Sequence, residues 1–163
     1  MIKRFLAALL LIASTVAFVA CSREKSFRHC EIVITLPSDF EDKGESQNFD
    51  MLLSNGVASV GIARITFVAG INMGIPETYS AKEFARYFMY STEVDAEVYF
   101  YGDMPYYSYY DESTGDKMFC LATFYRTLYA YVYVVYAVEE SFESEWREKF
   151  LDIGKNVVFD YSE

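Results

Sequence analysis

The longest run of alternating apolar and polar positions, residues 94–138, reads as four consecutive β-strands. In Val94–Tyr101 the even positions (Val94, Ala96, Val98, Phe100) are apolar and the odd ones (Asp95, Glu97, Tyr99, Tyr101) are wetter, the period-two mark of a half-buried strand. Tyr106–Asp111 and Lys117–Arg126 follow, parted by the polar turn Glu112–Asp116. Leu128–Val138 is apolar on both faces, with Val132, Val134 and Val138 on one and Tyr131, Tyr133 and Val135 on the other. A strand of that kind belongs in the centre of a sheet, covered on both sides. The short connections make the four antiparallel neighbours.

Upstream, Glu31–Leu36 reads as a strand closed by Pro37-Ser38, and Asp39–Asn48 as a solvated acidic loop whose spacing matches no calcium loop. Phe49–Ser54 and Val57–Val68 flank Asn55-Gly56, the dipeptide that most strongly favours a tight hairpin turn. Gly61 inside the second strand predicts a bulge or a close approach, and Ala69–Thr78 a crossover loop. Ala81–Ser91 places Ala81, Phe84, Ala85 and Phe88 on one helical stripe, and Ser80-x-x-Glu83 supplies a capping box. A second helix is expected over Phe142–Ile153, capped by Ser141 and stopped by Gly154, with Trp146 and Phe150 on its dry side. Val157–Phe159 closes the chain as a short strand. The fold class expected is α+β: an antiparallel sheet of about 6–8 strands with two main helices packed on it.

The N-terminus follows other rules. Lys3 and Arg4 precede the apolar stretch Phe5–Ala20, which is shorter than a membrane span and reads as a secretory leader. It ends Phe18-Val19-Ala20-Cys21, which resembles the bacterial lipobox. That resemblance implies cleavage before Cys21 and acylation of its thiol, which anchors the protein to a bacterial membrane. The organisation expected is therefore a leader over 1–20, the lipidated Cys and a polar tether over 21–29, and one α+β domain over 30–163. The place expected is the cell envelope, after export.

The net charge of −10 becomes two units more negative once Lys3 and Arg4 are removed. So acidic a chain repels nucleic-acid phosphates and anionic headgroups, which excludes nucleic acid as a partner and leaves membrane attachment to the lipid. With Cys21 committed, Cys30 and Cys120 remain. Each falls in phase with apolar neighbours, Cys30 with Ile32 and Ile34, Cys120 with Met118 and Ala122. They read as two buried thiols rather than a disulfide.

The order of elements, a strand ending in Leu-Pro, a hairpin, a capped helix, an antiparallel meander, a C-terminal helix and a short strand, resembles the PsbP-like group, including DcrB-type envelope lipoproteins. The resemblance is carried by Ile34-Thr35-Leu36-Pro37-Ser38-Asp39-Phe40, by Tyr79–Phe84 and by Trp146–Phe159. It implies a sheet with helices on its faces, and no shared active site.

Few residues offer chemistry. His29 is the only histidine and reads as a solvated side chain, which leaves no His-based triad in the folded body. No G-x-S-x-G, H-E-x-x-H, paired C-x-x-C or phosphate loop occurs. No catalytic residue, metal ligand or cofactor is expected. Asp95 and Glu97, on one face of their expected strand, keep a carboxylate-based glycan hydrolase open as an alternative, which needs two opposed carboxyls some ~5–10 Å apart, one of them hard to ionise. The densest feature is tyrosine: Tyr99, Tyr101, Tyr107, Tyr109, Tyr129, Tyr131 and Tyr133 crowd the meander. They are the candidate binding surface, because Tyr joins rigid area to a hydrogen-bonding tip. The competing reading is that they fill the second sheet face beneath a helix. The function expected is a non-enzymatic binding or accessory module for another envelope component, a protein or a glycan; a purely structural lipoprotein is the third reading.

Overall fold

A computed structural model describes residues 23–113 and 115–162; the expected leader and Cys21 lie outside the described residues. The described chain opens with an antiparallel pair, β1 (Glu24–His29) and β2 (Ile32–Pro37). Seven strands then make the larger antiparallel sheet: β3 (Glu41–Asp42), β4 (Met51–Ser54), β5 (Ala58–Thr66), β6 (Tyr99–Tyr101), β7 (Met104–Asp111), β8 (Met118–Arg126) and β9 (Ala130–Glu139). The last strand, β10 (Val158–Phe159), returns to the free side of β2. Helices are α1 (Phe67–Asn72), α2 (Ala81–Ser91) and α3 (Glu143–Lys155). The fold is α+β, as the sequence predicts, with more strands, a second sheet and a third helix.

The large sheet runs β3-β4-β5-β9-β8-β7-β6, so β9 is its middle strand. One face of β9 presents Val132, Val134, Tyr136 and Val138, all fully buried, to the small sheet and α3. There they meet Ile32, Ile34 and Leu36 of β2, and Trp146, Phe150 and Leu151 of α3. The other face presents Tyr131, Tyr133 and Val135 to α2, whose buried stripe is Phe84, Ala85 and Met89. Each Phe or Leu removed from water contributes roughly 1.5–3 kcal/mol. The sheet is thus the middle of three layers, and β8 and β9 line both cores.

Several expectations are corrected. Residues 24–29, expected as part of a tether, form β1; only Phe27 of the six is buried, so the strand looks polar in sequence. Val94–Tyr101 is not one strand, and only Tyr99–Tyr101 pairs with β7. Glu93 turns the chain through φ 56, the Val94 amide donates to Met89 O at 3.1 Å, and Val94, Ala96 and Val98 become half-buried against the α2 core without a partner strand. The second hairpin strand stops at Thr66, whose hydroxyl caps α1, a helix that takes the last two residues of the expected strand and runs into the expected crossover loop. Gly61 keeps regular register opposite Leu52 and Val135, and makes room for the Phe49 ring, which would lie 2.6 Å from a Cβ there. Ser141 lies in a 3-10 turn and does not cap α3. Cys30 is exposed in the β1–β2 turn at φ 48, and Cys120 alone is the buried thiol; both are free.

The two ends of the molecule differ. At the end where the described chain begins, Ser38 N donates to Arg23 O at 2.7 Å, and Asn55 at the hairpin tip reaches Asp39 at 2.9 Å. At the other end lie the β1–β2 turn, the β8–β9 turn (Thr127–Tyr129), the start of α1 and residues 160–162. They are sewn together by Arg28–Asp160 at 2.9 Å and by the Tyr161 hydroxyl, which accepts from Leu128 N at 3.3 Å.

Candidate functional site

The seven candidate tyrosines do not form one surface. The odd residues of β6 and β9 face opposite sides of the sheet. Tyr99 lies opposite Tyr106 on the α3 side, and Tyr101 donates to Asp152 of α3 at 2.8 Å. Tyr131 and Tyr133 lie on the α2 side. Tyr107 and Tyr131 are fully buried and cannot meet a partner. Tyr131 stacks on Phe84 at 4.6 Å and donates to Pro76 O and Tyr79 O at 2.7 and 2.9 Å, which holds the α1–α2 connection down. Tyr107 packs on Phe124 at 5.3 Å, and burial pushes its hydroxyl up to about 12. Tyr109 and Tyr133 are half-buried in the same aromatic layer; burial raises both, and Tyr133 sits 4.4 Å from Phe88. For these four, the role beneath a helix is the one the geometry shows. Tyr99 and Tyr129 stay exposed and apart, one on edge strand β6 and one in the β8–β9 turn: Tyr99 donates to Glu97 at 3.2 Å, and the Tyr129 ring lies 6.2 Å from Tyr161.

Asp95 and Glu97 lie on the irregular segment beside α2, both exposed, with Glu97 accepting from Tyr99. A groove of about 520 Å³ is lined by Glu93, Val94, Asp95, Ser108, Tyr109 and Tyr110 and does not include Glu97. The two acids therefore do not face each other across it. His29 is half-buried, 3.9 Å from Asp50. Cys120 lies beneath Tyr109 in the β7–β8 ladder, and burial raises its thiol to about 11.

Two polar clusters escaped the sequence reading. At the far end, Glu31 is buried, accepts from Arg64 at 3.0 and 3.2 Å and from the Thr127 hydroxyl at 3.0 Å. Burial by itself favours the protonated acid. Its backbone hydrogen bond, Thr127 and Arg64 outweigh that and hold the carboxyl below the usual range. At the other end, Glu143 in the first turn of α3 accepts from Tyr110 at 2.6 Å and from Arg147 Nε at 3.1 Å, beside the Lys117–Glu140 pair at 2.7 Å. This network anchors a helix start that no side chain caps. The Glu143–Arg147 spacing is legible as an i, i+4 pair; the partners Tyr110 of β7 and Lys117, just before β8, are not.

Among the described residues no helix is long and apolar enough to cross a membrane, and none of the His, Cys, Asp and Glu groups has the grouping to hold a metal ion. No known protein family and no curated protein matches the sequence. Solved structures do match. The solution structure of cyanobacterial PsbP (CyanoP) from Synechocystis superposes with a TM-score of 0.57 at 10% identity, covering 86% of this chain and 95% of that one. A crystal structure from Bacteroides thetaiotaomicron superposes with a TM-score of 0.57 at 10% identity, covering 83% of this chain. This chain spans 48% of the length of that one. The architecture is PsbP-like.

Proposed function

We propose that this chain is a non-catalytic, lipid-anchored accessory module of the bacterial cell envelope, which works by binding another envelope component. The observation that carries the reading is the set of exposed apolar and aromatic side chains, Val68, Leu128 and Tyr129 among them, while several carboxyls are tied up in local pairs and caps. Glu41 is held low by Lys43, Glu83 by the Ser80 amide, Glu143 by Tyr110 and Asp160 by the Ser162 hydroxyl. Glu31 is held low against the effect of its burial. These acids serve pairing and capping, and Asp95 and Glu97 do not face each other across the neighbouring groove as a glycan hydrolase needs. The surface carries exposed apolar and aromatic side chains suited to contact. The PsbP-like architecture is compatible with such a role and brings no reaction with it. The lipobox-like Phe18–Cys21 supplies the membrane attachment, and β1 begins only three residues after Cys21.

Cys21→Ser is expected to move the protein from the membrane pellet to the soluble fraction. Retention of the variant in the pellet through a carbonate wash would refute the lipid anchor.

A further inference from the structure

Exposed apolar side chains concentrate at the end of the molecule remote from Arg23. Val68 is 75% exposed, Leu128 63%, Tyr129 61%, Ile71 58%, Met73 55% and Tyr161 43%. Five of them, Val68, Ile71, Leu128, Tyr129 and Tyr161, are neighbours by construction. The β5–β9 ladder ends at Thr66 opposite Ala130, and Phe67 N donates to Tyr129 O at 3.2 Å, which sets Val68 beside the Leu128–Tyr129 tip. Ile71 follows Val68 by three positions on α1. Tyr161 joins from the C-terminus through its contacts with Leu128 N and the Tyr129 ring.

The charge pattern is as uneven as the exposure. In a chain of net charge −10, neither residues 65–76 nor residues 127–138 contain a charged side chain. Beside this bare area runs a groove of about 720 Å³ lined in part by Arg28, Glu31, Tyr129 and Asp160, which gives an apolar centre a polar rim of both signs. That is the anatomy of a protein interface.

We propose that this end is the docking face for a protein of net positive charge that meets it with an uncharged, apolar patch. The inference rests on the binding-module reading above. The overall charge draws a basic partner and speeds its approach, while the uncharged area is where desolvation leaves no ion stranded. A second copy of this chain brings the same negative charge and is repelled. A bilayer surface would have to strip water from the exposed Arg28–Asp160 pair at the rim. The end also points away from where the chain arrives from Cys21, so it is open to a partner approaching from the aqueous side.

The experiment places a photo-cross-linking amino acid at Leu128 or Val68, and as controls at Val57 or Phe142, which are exposed near the opposite end. The full-length lipoprotein is irradiated in intact cells. A protein adduct from Leu128 and Val68, absent from the controls, identifies the candidate. The candidate is then purified and its binding to the full chain measured. The proposal stands if it is basic, if Leu128→Asp weakens binding tenfold or more, and if added salt slows association. Leu128 is exposed, so an unchanged melting curve will show that Leu128→Asp leaves the fold intact. Adducts at twice the chain's mass, adducts to lipid, or an acidic partner overturn it. Protein adducts from Val57 or Phe142 alone overturn this face while keeping the binding module, and no adduct from any position overturns both.

Discussion

Glu31 couples the fold to acid. Its carboxyl closes the small sheet onto Arg64 and Thr127 of the large one. Because its folded affinity for a proton lies below the ordinary value of 4.5, its contribution is complete above that pH and is lost as pH falls through the folded value. Glu31→Gln leaves the Arg64 guanidinium without its counter-charge and should cost about 2–3 kcal/mol at pH 7. Urea denaturation followed from pH 7 to pH 3 should show the two proteins converging at the acid end. A constant gap would mean that the carboxylate charge is irrelevant. Glu31 carries no mark in the sequence, since an acid opening an apolar strand reads as a wet flank. Its partners stand 33 and 96 positions away, so only the assembled topology brings them near.

Elements were legible where local chemistry decides them. Ser80 accepts from the Glu83 amide at 3.3 Å and Glu83 returns the bond to Ser80 N at 2.8 Å, the reciprocal pair that Ser-x-x-Glu announces. Ser80→Ala should therefore lower stability by about 1 kcal/mol. Ser141→Ala should stay within about 0.5 kcal/mol, because Ser141 makes no cap. Thermal unfolding of the two variants side by side checks this, and equal losses would contradict the helix start at Glu143. The middle strand β9 was equally readable, since two apolar faces demand cover on both. The alternation of Val94–Val98 reports burial but not pairing: period two says which side is dry, and nothing in it supplies a neighbour for the backbone. β1 was missed for the converse reason, having a partner strand but one buried side chain.

At the scale of the molecule, the two apolar cores share β8 and β9, so they should melt together. Phe84→Ala on the α2 side and Phe150→Ala on the α3 side should each cost about 3–5 kcal/mol and shift one common transition. Separate transitions, seen by calorimetry, would show that the faces are independent. The tyrosines show where the candidate site outran the sequence. Composition marks Tyr107, Tyr131 and Tyr129 alike, but register puts the first two under α2 and the last on an exposed tip. The apolar residues around Tyr129 come from α1, the β8–β9 turn and the C-terminus, which no local pattern links.

The direction in which β1 runs has a mechanical consequence. It enters the body at Glu24, paired with Pro37, and lies antiparallel along β2 to His29. A force on Glu24 directed along the strand axis would shear that ladder, so its rungs would share the load instead of parting one after another.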